Sequence, residues 1–188
     1  KKEAREIAEQ LGFCNARKHD SQDICFVPNG DYVKFMEQYT GKQYPAGAFL
    51  DLEGQTVGRH CGAVRYTLGQ RKGLGLAMGE PVYVCGKNMA ANTVTVGPEN
   101  ALYSSMLLAE DMNWISIPQL KQPMRVKAKT RYRQAEQWAA VYPEQHGRVR
   151  LEFDVPQRAV TVGQAVVLYD GDVVVGGGTI CQAPPTKR

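Results

Sequence analysis

The sequence predicts a mainly β protein: a small central α+β domain, then a C-terminal antiparallel β-barrel, with one helix ahead of both. Three observations carry that reading. After Pro45 the chain breaks into short β-prone runs, turn residues separate them where hairpins need them, and helical periodicity is confined to the first 40 residues. With 188 residues, 43% hydrophobic and 22% charged, the composition suits a globular chain and excludes collagen, disorder and coiled coil. No apolar run approaches the ~18–20 residues of a membrane span, and the basic start has no apolar stretch of the kind a secretion signal needs. A cytoplasmic protein without a membrane partner is expected.

Taken in order, Ala4, Ile7, Ala8 and Leu11 recur at helical spacing and Gly12 is placed to close a helix over residues 1–11. A polar loop with a short Ile24–Val27 apolar run follows, ended by Pro28-Asn29-Gly30. Tyr32, Phe35, Met36 and Tyr39 then mark a second helix over 32–40, with Asp31 as its N-cap, Gly41 as its stop, and the aromatic stripe as core. Strands are predicted at 48–52, 63–68, 81–85, 93–96, 125–133, 138–142, 148–154, 165–169 and 173–180. Glu53-Gly54, Ala91-Asn92 and Asp170-Gly171-Asp172 supply hairpin turns. The last five runs form one barrel-like unit, and a boundary falls between residues 97 and 123, a stretch punctuated by prolines.

The net charge of +4 is concentrated in one place. Residues 121–133 hold six basic and no acidic side chains, while the rest of the chain holds 17 basic against 19 acidic. Strand alternation would put Arg125, Lys127, Lys129, Arg131 and Arg133 on one face, about 6.6 Å apart. Such a row repels itself until a phosphate backbone neutralises it, so it points to nucleic acid; a charged edge that blocks strand pairing is the plainer alternative. A second basic segment, Arg65–Gly79, joins Arg65, Arg71 and Lys72 to four glycines. Its glycines allow close backbone approach and its cations could hold phosphates, but it fits neither a Walker A loop nor a dinucleotide fingerprint, and a Gly-rich connection accounts for it equally well. Five cysteines without a C-x-x-C pair suggest neither a disulfide framework nor a zinc site. Around Cys25, Asp20 and Asp23 would raise the thiol pKa while Lys18 and His19 would lower it, so local charge decides nothing. From its residues alone the chain reads as a β-rich nucleic-acid-binding protein with one ambiguous cysteine.

Four strings together resemble the bacterial tRNA-specific 2-thiouridylase family (MnmA/TrmU type): KHDSQDICFVPNGDY at 18–32, GQTVGRHCGAVRYTLGQRKGLG at 54–75, KTRYRQ at 129–134 and VTVGQAVVLYDGDVVVGGGTI at 160–180. The resemblance runs nearly end to end and implies three parts. Residues 1–30 would close a PP-loop catalytic domain and carry the sulfur loop, 31–97 would be the central domain, and 98–188 the tRNA-holding barrel. The family's S-G-G-x-D-S nucleotide loop is absent from this sequence, so ATP, with magnesium, is expected to be bound outside it, and this chain alone is expected to be inactive. The implied chemistry is ATP-dependent 2-thiolation of the wobble uridine of tRNA. The uridine is adenylated, a cysteine persulfide delivers sulfur, and a second cysteine releases it by forming a disulfide.

By the same match Cys25 is the persulfide cysteine, fed by a cysteine desulfurase or a sulfur-relay protein, and Arg131, Tyr132 and Gln164 contact tRNA. No metal site is implied. On a regular strand Tyr132 would face away from Arg131, a conflict that alternation cannot resolve. Val162 stands where the family usually has proline before Gly-Gln. The competing expectation is a non-catalytic RNA-binding barrel whose cysteines are structural.

Overall fold

The computed structural model describes residues 2–17, 27 and 31–184. Two compact units divide the chain, Lys1–Tyr44 and Pro45–Arg188. In the first, α1 (Lys2–Gln10) ends in paired closing bonds. Phe13 N–H donates to Ala8 O at 2.9 Å and Gly12 N–H to Glu9 O at 3.0 Å, satisfying carbonyls that the helix leaves open. Its Ile7 and Leu11 stay exposed. Helix α2 (Tyr32–Thr40) starts where predicted, with the Asp31 carboxylate accepting from Lys34 N–H at 3.0 Å. It stops at Gly41, whose left-handed φ of 67° turns its N–H onto Glu37 O. The aromatic stripe is not all core: Val33 is buried, whereas Tyr32 and Tyr39 are exposed. Tyr39 instead stacks on Phe35, with centroids 5.9 Å apart, and leaves its hydroxyl to water.

The second unit begins with a four-stranded sheet: β1 (Gly47–Leu50), β2 (Thr56–His60), β3 (Tyr83–Asn88) and β4 (Thr93–Gly97), in the order β2-β1-β4-β3. Antiparallel hairpins β1–β2 and β3–β4 are joined through a parallel β1–β4 pairing. Strand β2 was not anticipated. The strand predicted over 63–68 is a single 3₁₀ turn at Ala63–Arg65, because Gly62, at φ 104°, breaks the extended chain before it. The turn points Tyr66 into the core, edge-on to Phe49 at 5.1 Å, beside Val84, Val94 and Val96.

His60 is sealed into this core edge-on to Phe49 and Tyr66. Its Nδ1 accepts from Gly62 N–H at 3.0 Å, and Nε2 completes no hydrogen bond. Burial holds its pKa below the ordinary imidazole value, a pull only partly offset by the Asn92 backbone. The unfolded chain therefore binds a proton that the folded chain refuses. Its stabilising contribution is complete above the ordinary imidazole pKa and is lost as pH falls below it. Urea denaturation at pH 7.5 and pH 5 is expected to show a loss of stability at the lower pH that shrinks in His60→Gln; an unchanged drop would assign the loss to other groups.

Six antiparallel strands then close a barrel: β5 (Tyr103–Trp114), β6 (Met124–Lys129), β7 (Gln137–Pro143), β8 (Val149–Arg158), β9 (Ala165–Asp170) and β10 (Val173–Gln182), around the ring β10-β5-β8-β7-β6-β9. Alternate residues fill it, among them Leu107, Val126, Val141, Leu151, Leu168 and Ile180. Strand β5 was also not anticipated. The turn signals fall as predicted, and the β9–β10 hairpin closes at Asp170↔Val173. Closure depends on the bare backbone of Gly176–Gly178 in β10. A Cβ on Gly178 would lie 2.7 Å from the Glu110 carbonyl and against the Met112 sulfur, so β5 could not stay in register. Gly178→Ala is expected to cost about 1–3 kcal/mol of unfolding free energy, the usual price of overpacking; a midpoint equal to wild type would show that β5 yields freely.

Candidate nucleic-acid interface

Strand β6 stops at Lys129, and residues 130–134 form a turn, so the predicted strand to 133 and its row of five cations are corrected. Three cations remain on the barrel wall, and each is engaged there. Arg125 makes a two-pronged pair with Asp154 at 2.7 Å, Lys129 lies 3.5 Å from Glu136, and Lys127 sits over the Trp138 ring at 5.5 Å. The Arg125 hydrogen bonds hold the Asp154 carboxyl below its usual range. At least part of the charge stripe is thus a solvated, self-neutralised face of the barrel.

The turn resolves the conflict over Tyr132. Off the strand, alternation no longer applies, and Arg131, Tyr132 and Arg133 line one open cleft of about 590 Å³ with Thr161 and Gln164 from the segment before β9. Thr67, from the sequence motif that precedes β3, lines the same cleft. The three residues predicted to contact RNA therefore line one cleft although Gln164 lies 33 positions beyond Arg131. Tyr132 is 96% exposed. Arg131 is held from behind: its Nη2 donates to Ala159 O at 2.6 Å and to Thr161 Oγ1 at 3.3 Å, while its Nε is buried without a partner. Ala159 can offer that carbonyl because its φ is 53°, a left-handed turn uncommon outside glycine. Gln164 is exposed on a backbone bonded to β10 in both directions, by Gly163 N–H to Ile180 O and Ile180 N–H to Gln164 O, each at 2.8 Å. Val162, exposed in the same turn, takes the proline position without disturbing it.

Sequence reasoning missed the support beneath the turn. Thr130 Oγ1 donates to Gln134 Oε1 at 2.9 Å, Gln134 Nε2 to Gln157 Oε1 at 2.5 Å, and Gln157 Nε2 to Val155 O at 2.5 Å. Thr130 and Gln157 are buried. Alternation gave no signal for it: the inward phase of Val149, Leu151 and Phe153 breaks at exposed Val155, and the β8 register against β5 shifts before Gln157 returns inward.

Cys25 lies outside the described residues, as do Lys18, His19, Asp20 and Asp23. Cys14 and Cys61 are exposed free thiols, and Cys85 and Cys181 are half-buried ones. Burial raises the thiol pKa of both Cys85 and Cys181, and Glu110 adds to the effect at Cys181. Among the described residues no group of three or more His, Cys, Asp or Glu side chains is arranged to hold a metal ion.

Three consecutive domain models match most of the chain. Residues 104–180 match an aminomethyltransferase β-barrel domain, residues 33–98 a tRNA methyl transferase PRC-barrel domain, and residues 1–29 a tRNA methyl transferase HUP domain. The chain belongs to the tRNA-specific 2-thiouridylase family of the MnmA type. It is 53% identical over 180 residues to the tRNA-specific 2-thiouridylase MnmA of Acetivibrio thermocellus, covering 96% of this chain and 50% of that protein. It is 50% identical over 182 residues to the protein of the same name from Heliobacterium modesticaldum, covering 96% of this chain and 47% of that protein. The chain thus spans about half the length of the relatives it matches.

Proposed function

We propose that this chain serves the ATP-dependent 2-thiolation of the wobble uridine of tRNA, with the barrel cleft holding RNA and Cys25 carrying sulfur as a persulfide. The observation that carries the RNA half is the convergence of Arg131, Tyr132 and Gln164 on one cleft. Cations there meet phosphates, an exposed aromatic ring can lie against a base, and the amide of Gln164 can pair with a base edge or a ribose hydroxyl. The family name of the relatives supports the chemistry.

ATP supplies an adenylate that turns the uridine O2 into a leaving group. In the glycine-rich run, Gly69 N–H is committed to Val84 O at 2.8 Å and Gln70 N–H to Thr67 O at 3.0 Å, so no step of that activation is derived on them. Sulfur transfer falls to Cys25. The terminal sulfur of its persulfide attacks C2, the C2–O2 bond breaks, and AMP leaves with the electron pair. A second thiolate then attacks the Cys25 sulfur, forming a disulfide and releasing the transferred sulfur as the thiocarbonyl. The persulfide must first be loaded by a cysteine desulfurase or a sulfur-relay protein.

Two measurements test this reading. With Arg125 and Lys129 paired to carboxylates, two to four phosphate contacts remain in the 121–133 stretch, so log K for tRNA against log salt is expected to fall with a slope of roughly −2 to −3; a flat response would overturn RNA binding by the barrel. For the sulfur step, the full-length protein incubated with a cysteine desulfurase and cysteine is expected to carry a mass-mapped persulfide on Cys25. Cys25→Ser is expected to abolish both that label and tRNA thiolation. Thiolation that survives the substitution would leave an RNA-holding barrel with structural cysteines.

A further inference from the structure

The relay beneath the cleft is more elaborate than closing a turn requires. Five residues from 130 to 134 could span the end of β6 with backbone bonds alone, and one such bond is present, Gln134 N–H to Arg131 O at 3.2 Å. In addition three polar side chains, two of them buried, are linked in series from the turn to the backbone of β8. Burying amides and a hydroxyl gains little net stability over an apolar filling of the same shape, but it fixes geometry, since any movement of one member leaves its neighbour unsatisfied. The residues at the far end of this relay do nothing for the fold: Tyr132 is almost entirely exposed and Arg133 is exposed. A rigid mounting under a fully exposed aromatic and a cation is a mounting for a ligand. The neighbouring charge and the open shape of the cleft fit a nucleotide whose base is free to leave its stack, with its phosphate beside Arg133.

We infer that Gln134 and Gln157 are positioning residues for RNA: their hydrogen-bond relay from Thr130 to Val155 holds the 130–134 turn so that Tyr132 meets an unpaired base and Arg133 its phosphate. In this arrangement Arg131, tied back to Ala159 and Thr161, is the strut of the same platform. The inference rests on the reading that the cleft holds tRNA.

The test is a double-mutant cycle in affinity for an anticodon stem-loop RNA, with a blunt RNA duplex of equal length as the comparison. Tyr132→Leu is expected to weaken stem-loop binding about tenfold and duplex binding little. Gln134→Met, which keeps volume and deletes the relay, is expected to weaken stem-loop binding three- to tenfold in the wild-type background and hardly at all in Tyr132→Leu. Arg133→Gln is expected to reduce the salt slope by about 1. Thr130→Val cuts the relay at its other end, should reproduce Gln134→Met, and guards against a variant that fails to fold, which thermal denaturation reports. Equal losses from Gln134→Met with and without Tyr132, or no loss from either relay variant, would overturn the inference while leaving the RNA reading intact. No binding of the stem-loop by wild type, or no effect of Tyr132→Leu, would overturn both.

Discussion

One mismatch in strand length governs the site. In the barrel wall β7 begins pairing with β8 at Ala139↔Phe153, so the last residues of β8 run on beyond it, paired only with β5. Where backbone is left without a neighbouring strand in this way, the chain must supply side chains in place of a ladder. Thr130, Gln134 and Gln157 fill that opening with hydrogen bonds, and Ala159 turns left-handed just past it to face Arg131. The cleft is thus a by-product of how the barrel is finished at one mouth. Its polar lining is fixed by the demand that buried polar groups be paired.

The sheet meets the barrel at the same place. Gly69 packs so closely that an added Cβ would lie 3.1 Å from Ala159 Cβ, and Ala159 N–H donates to Leu102 O at 2.8 Å. Arg158 lies over the Tyr83 ring at 5.4 Å and pairs with Glu99 at 3.2 Å. These contacts bring Thr67 of the sheet to the edge of a cleft otherwise built by the barrel. Around Gly69 the Gly-rich segment works as a connection between sheet and barrel, with the Gly69 and Gln70 amides already bonded to Val84 O and Thr67 O.

How much of this could be read from the chain depends on how local the cause is. The bounds of helix α2 were legible, since Asp31 and Gly41 act within four residues of their targets, but its buried face was not, because Tyr32 and Tyr39 stay exposed. So were the hairpin turns. Strand β5 was not: YSSMLLAEDMNW has no β-branched residue and two acids, and it is extended because β8 and β10 flank it on both sides. The charge stripe failed for a related reason, because alternation assumes a strand that continues, whereas the pairings of β6 with β7 and β9 end at Ala128 and Lys129. Arg131, Tyr132 and Gln164 were named through resemblance, Arg131 through the charge stripe as well, and the polar support beneath them through neither route, because it is assembled from the end of β6 and the end of β8.

The raised pKa values of Cys85 and Cys181 bear on the sulfur chemistry proposed for Cys25. Exchange of sulfur between cysteines proceeds through thiolates, and these two remain thiols at neutral pH, each also donating its S–H to a backbone carbonyl, Tyr83 O and Leu108 O. Under the persulfide chemistry proposed for Cys25, sulfur could pass onto cysteines other than the carrier, and burial would make Cys85 and Cys181 poor acceptors by keeping their protons on.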